Sequence, residues 1–155
     1  MRVQVTRPLT AGERDLASSI FGNAIDLDAV TVKRKKWFPF QPKNVLMAPT
    51  GHIHVHPASD HWSEDFAEEH VHAQGWFLHE LTHVWQSQKR GKYYLPLMRH
   101  PLCRYDYAVR AGWPLERYGL EQQGEIVRHA FLLRNRITVP GAPPLPVLES
   151  ILPFR

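Results

Sequence analysis

Apolar positions recur at helical spacing in three stretches of this chain and alternate in two others. Leu16, Ala17, Ile20 and Phe21 follow Thr10-Ala11-Gly12-Glu13, where a capping threonine and an acidic residue three positions later make a capping box. The pattern predicts a short amphipathic helix that Gly22-Asn23 ends. From about Glu69 to Arg90 a second helix is predicted, because Phe77 or Leu78, Leu81, Val84, Trp85 and Gln88 return every three or four positions. Lys89-Arg90-Gly91 is its stop: cations on the negative end, then a residue that tolerates the left-handed cap. A last helix is predicted from near Gly119 to about Asn135. Ala29 to Lys33 alternates and is rich in β-branched residues, and Val45–Ala48 and His52–His56 flank Pro49-Thr50-Gly51 as the strands of a hairpin flank a turn. The stretch from Lys92 to Tyr118 is aromatic and broken by Pro and Gly, without a usable period. The tail 138–155 carries Pro140, Pro143, Pro144, Pro146 and Pro153, and is expected to run extended over the surface rather than as a helix.

These elements make an α+β protein with a small antiparallel sheet. At 155 residues the chain fills one domain, 1–155, and its 43% hydrophobic and 22% charged residues are the balance of a globular chain. Cys103 is the single cysteine, which excludes an intrachain disulfide, and with no base suggested beside it a buried or inert thiol is expected. Met1 to Leu9 lacks the apolar core of a signal peptide, and no run approaches the roughly 18 apolar residues of a membrane span. The expected location is the cytoplasm, with export left to a system that reads no cleavable signal. The net charge of +4 and the run Lys33-Arg34-Lys35-Lys36 beside Trp37-Phe38 would suit a nucleic-acid surface, but a solvated loop or strand end is the plainer reading. The ten histidines point elsewhere.

His79-Glu80-Leu81-Thr82-His83 falls inside the second predicted helix. On a helix His79 and His83 stand one turn apart on one face, so both rings can reach one zinc ion, and Glu80 is rotated to lie beside the metal. From there Glu80 can take a proton from a zinc-activated water as it attacks a carbonyl. A catalytic zinc takes three protein ligands, and the candidate third is Glu121 on the last helix, with Glu125 one turn on. Like charges at that spacing repel, which suggests that something positive meets them: a metal on Glu121, with Glu125 accepting from the far nitrogen of His79 or His83. The alternative is two solvated glutamates balanced by Arg128 and His129. Gly124, costly inside a helix, is explained if this helix packs closely on another.

Phe77-Leu78-His79-Glu80-Leu81-Thr82-His83-Val84-Trp85-Gln86 and Tyr118-Gly119-Leu120-Glu121-Gln122-Gln123-Gly124-Glu125-Ile126-Val127 together resemble the small Vgr-related proteins of bacterial type VI secretion. More loosely they resemble compact zinc peptidases of the gluzincin class. Leu9–Glu13 and Ile25–Asp28 fit the Vgr-related pattern as well, so the likeness covers most of the chain. The resemblance implies a minimal zincin-like domain, in which a small sheet packs on the helix of the metal motif, a second helix carries the third ligand and an edge strand holds an extended peptide. It implies one zinc ion on His79, His83 and Glu121, Glu80 as catalytic base, and Glu125 as the acidic residue that recurs four positions after the glutamate ligand. A tyrosine or histidine commonly stabilises the oxyanion in that class, and Tyr105, Tyr107 and Tyr118 are the candidates, each with core or loop packing as its alternative.

His52, His54 and His56 depart from that pattern. On one strand face they could bind a second metal, line the cleft, or simply be solvated. His61, His70 and His72 receive no role. The leading function is zinc-dependent hydrolysis of a peptide or related amide bond in a peptide or protein substrate, as a type VI secretion-associated effector. A different class is a zinc-containing, non-catalytic accessory module that docks on a secretion spike or adaptor protein; a basic nucleic-acid binder is the weakest.

Overall fold

The computed structural model describes residues 6–99 and 103–154, so the start of the N-terminal stretch read above, Met1–Val5, lies outside them. Thr10 opens helix α1 (Ala11–Phe21) with the expected capping box: its Oγ1 accepts from Glu13 N at 3.0 Å, and Glu13 Oε1 accepts from Thr10 N at 2.9 Å. Glu13 is fully buried and also holds Arg7 by two hydrogen bonds of 2.8 and 2.9 Å. Gly22 ends the helix.

The sheet is mixed, which corrects the expected antiparallel one. Strand β1 (Thr6–Pro8) pairs antiparallel with β2 (Thr31–Lys33), and β2 pairs parallel with β3 (Ile53–His54), with Val32 opposite Ile53. The expected hairpin is reduced to one bridge, Met47 to His54. The reason lies in the backbone hydrogen bonds: Val55 N donates to Lys33 O at 2.8 Å, so the 53–55 segment runs alongside β2 and meets the 45–48 segment at a single residue.

Helix α2 (Val71–Arg90) begins two residues later than its pattern suggested, and His70 caps it, Nδ1 accepting from Ala73 N at 3.3 Å. Its side chains from Phe77 to Ser87 are all buried, because β3 and the later helices pack against it. Phe77, Leu78 and Leu81 are fully buried there, each stabilising the fold by about 1.5–3 kcal/mol. The unassigned stretch yields a short helix, α3 (Tyr94–Met98), and a 3-10 turn at Leu115–Arg117. Helix α4 (Leu120–Arg134) lies where it was expected and packs along α2.

The tail is not wholly extended. Leu145–Ile151 forms helix α5, which packs on α4 and buries Leu148 completely. The prolines permit this because Pro144 precedes the first turn and Pro146 lies within it, where a backbone N–H has no intrahelical partner to lose. Phe154 then sets its ring against Phe21 and Trp85, with centroids 4.8 and 5.0 Å away. The architecture is α+β, with a small three-stranded sheet and several helices.

Candidate metal centre

The packing of α2 on α4 decides the site. Gly124 faces His79 so closely that a Cβ there would lie 2.7–2.8 Å from the imidazole ring. Only glycine lets the two backbones approach this far, which accounts for a residue that weakens a helix interior. With the helices this close, Glu121 Oε2 lies 3.0 Å from His79 Nε2 and 3.2 Å from His83 Nε2. All three residues are about 1% exposed, and they are the group among the described residues that could hold a metal ion.

Each member of the group is held from behind. Glu125 Oε2 lies 3.3 Å from His79 Nδ1, and Arg128 grips that carboxylate through Nε at 2.5 Å and Nη2 at 2.9 Å. The Arg128 guanidinium in turn sits 4.2 Å from the centre of the Trp76 ring. Gln86 Oε1 meets His83 Nδ1 at 2.9 Å. Arg99 Nη2 lies 2.8 Å from Glu121 Oε1 as an ion-pair partner. Both glutamates are therefore paired with cations, Glu125 with Arg128 and Glu121 with Arg99, and both are buried.

The charges follow this geometry. Burial opposes ionisation of Glu121, but hydrogen bonds from His79 and His83 hold its carboxyl well below the usual range. Glu125 likewise resists burial, and His79 and Arg128 hold it down to about 2. Burial disfavours a charged His79 ring, but Glu121 and Glu125 outweigh it and raise the ring to about 9. Glu80 behaves oppositely: burial pushes its carboxyl up, with Glu121 adding to the effect, against His83 and His79.

The donor set suits a divalent ion of the zinc type: two imidazole nitrogens and one carboxylate oxygen, convergent and buried. One orphaned atom agrees with that fit: Glu80 Oε2 is buried and makes no hydrogen bond among the described residues. Such a group is uncommon in a folded protein and asks for a ligand.

A cleft of about 270 Å³ opens on the group, lined by Asn44, Val45, Leu46, His61, Trp76, His79, Glu80 and Tyr105. Of the three tyrosines, Tyr105 alone lines it, stacked on His79 with centroids 5.9 Å apart, and burial with the nearby Glu121 pushes its phenol up to about 12. Tyr107 instead bonds His129 Nδ1 at 2.8 Å, and the Tyr118 hydroxyl accepts from Arg110 N at 3.0 Å.

The fold matches a known one at this point. A solved structure, the effector domain of Pseudomonas aeruginosa VgrG2b, is 36% identical, superposes with a TM-score of 0.72, and is matched over 83% of this chain and 75% of that one. This chain belongs to the VgrG2b effector-domain family. The type VI secretion system spike protein VgrG2b of P. aeruginosa is 38% identical over 136 residues, 83% of this chain. The chain spans only 13% of the length of that spike protein. No family model matches the chain.

Within this VgrG2b-type domain the histidine triplet is dispersed. β3 covers only residues 53–54, and each ring has a local partner: His52 Nδ1 with Thr31 Oγ1 at 2.8 Å, His54 Nδ1 with Lys35 O at 3.2 Å, His56 Nδ1 accepting from Ala58 N at 2.9 Å. None of the three lines the cleft; His61, given no role from sequence, does. The basic run is also partly engaged, with Arg34 over Trp62 and Lys36 Nζ on Pro39 O. Among the described residues no helix is long and apolar enough to cross a membrane. Sequence reasoning missed Gln86, Arg99 and Trp76. Gln86 and Trp76 each lie three residues from a motif histidine, so the helical period already put them on the same face.

Proposed function

We propose that this chain is a zinc metallopeptidase domain of a type VI secretion effector. The observation that carries the reading is Glu121 Oε2 facing the Nε2 atoms of both His79 and His83 while Glu80 Oε2 lies beside them without a hydrogen-bond partner among the described residues. His79, His83 and Glu121 would hold the ion, through the two Nε2 atoms and one carboxylate oxygen. Bound there, zinc supplies Lewis acidity, which polarises a carbonyl and makes a water more acidic.

The chain's own groups do the rest. Glu80 takes the proton of the attacking water on its carboxylate and returns it to the leaving amine, and the raised affinity of its buried carboxyl for protons suits a group that must hold one between the two steps. Trp76, Val45 and Leu46 give the cleft an apolar wall against which a peptide can lie, and the protonated Tyr105 hydroxyl stands at its edge as a donor to a developing oxyanion. The relative's place in a secretion spike suggests a spike or adaptor as the chain's carrier.

Replacing Glu80 with Gln in the zinc-loaded protein tests the reading: zinc content should be unchanged and cleavage of a verified peptide substrate lost. Undiminished cleavage would remove Glu80 as the base.

A further inference from the structure

Behind His83 lies a chain of two buried amides that belongs to neither the ligand set nor the cleft. An amide's two ends are alike in shape but opposite in hydrogen bonding, since the NH₂ donates and the oxygen accepts. The carbonyl of Tyr118 can only accept, so Gln123 turns Nε2 toward it at 2.8 Å and leaves Oε1 facing Gln86. The carbonyl of Leu120 can also only accept, so Gln86 Nε2 faces it at 3.1 Å and reaches Gln123 Oε1 at 2.9 Å. That leaves Gln86 Oε1 against His83 Nδ1 at 2.9 Å, where an acceptor requires that Nδ1 carry the proton.

We infer that Gln86 and Gln123 form an amide relay, anchored on the backbone carbonyls of Tyr118 and Leu120, that fixes His83 as its Nδ1–H tautomer and so presents Nε2 to the metal. Both glutamines are positioning residues, and the inference rests on the metal-site reading above. The relay does for His83 what the Glu125 carboxylate does for His79, with one physical difference: it is neutral. A carboxylate behind His83 would add a fourth negative charge to a buried group that already holds Glu80, Glu121 and Glu125. A directed amide chain orients the ring without that cost. Both glutamines are nearly fully buried, at 3% and 4% exposure, which limits competition from water for these bonds.

The test uses the full chain with ¹⁵N-labelled histidine. In the zinc-loaded wild type, nitrogen shifts should place zinc on His83 Nε2 and the proton on Nδ1; zinc on Nδ1 overturns the relay. Gln86→Met should weaken zinc binding, read by competition with a chromophoric chelator, by about 10–100-fold. Gln123→Met, which touches no ligand, should weaken it by a smaller factor, and the double variant should bind no worse than Gln86→Met alone. A Kd for Gln86→Met within about twofold of wild type, with Nδ1 still protonated, overturns the inference. If a variant does not fold, the wild-type spectra still decide. A wild type that binds no zinc contradicts the metal-site reading instead, and there the spectra of the metal-free protein report the relay separately: a proton on Nδ1, whether or not Nε2 also carries one toward Glu121, supports it, and a bare Nδ1 overturns it.

Discussion

Two buried glutamates in this domain, Glu13 and Glu121, show how a structural charge differs from a functional one. Glu13 uses both oxygens fully. Oε1 accepts from Arg7 Nη1 at 2.8 Å and Thr10 N at 2.9 Å, and Oε2 from Arg7 Nη2 at 2.9 Å and Phe66 N at 2.8 Å. It ties β1, α1 and the 3-10 turn at Phe66–Glu68 together and has no capacity left. Glu121 is as deeply buried, but its Oε1 meets Arg99 Nη2 at 2.8 Å and its Oε2 faces the Nε2 atoms of two imidazoles at 3.0 and 3.2 Å. Burial alone therefore marks neither. The convergence of two imidazole nitrogens on one carboxylate oxygen, beside the unpartnered Glu80 Oε2 among the described residues, marks the second.

The largest effect that separates the two regions is on folding. Glu13→Ala leaves Arg7 buried without its partner and should lower stability to urea by about 3–5 kcal/mol. A loss under about 1 kcal/mol would show that Arg7 is not held as described. On the other side of the comparison, Glu80→Gln should lower turnover by about 10²–10⁴-fold and leave the unfolding midpoint within experimental error of wild type.

Gly124→Ala probes the contact that builds the site. The added methyl meets the His79 ring at 2.7–2.8 Å, so stability should fall by about 1–3 kcal/mol and zinc affinity should fall with it. A variant of unchanged stability and affinity would mean that α4 can move away from α2 freely.

The smallest expected effect is on pH dependence, and its sign differs at the two ends. In the metal-free protein His79 is raised from 6.5 to about 9, so its contribution is complete below about 6.5 and lost as pH rises through about 9. Glu125 is lowered from 4.5 to about 2, so its contribution is present above about 4.5 and lost as pH falls through about 2. Melting temperature of chelator-treated protein should therefore be highest between about 4.5 and 6.5. Zinc should remove the alkaline loss, because a ligating imidazole is already neutral. Equal melting temperatures at pH 6 and pH 9.5 without metal would contradict the His79 assignment.

The sequence made parts of this legible and hid others for identifiable reasons. Helices α1, α2 and α4 were readable because a capping box, a cationic stop before Gly91 and an apolar period are local signals. The convergence of Glu121 on His79 and His83 was readable as a spacing of chemistry, and Gly124 as an anomaly that close packing explains. The mixed sheet was not, since the choice of β2 over the 45–48 segment as partner for residues 53–55 is a long-range matter. Helix α5 was hidden because five prolines were counted, whereas what matters is whether a proline falls in a first turn. The dispersal of His52, His54 and His56 follows from a strand that ends after two residues, a boundary that alternation alone does not set.

The most direct test of the central claim is the metal content of purified wild type and of Glu121→Ala, by elemental mass spectrometry without added zinc. The site predicts close to one zinc per chain in the wild type and its loss in a variant that still folds, because Glu121, unlike Glu13, accepts from no backbone N–H among the described residues. No metal in either protein, even after reconstitution with zinc, would contradict it.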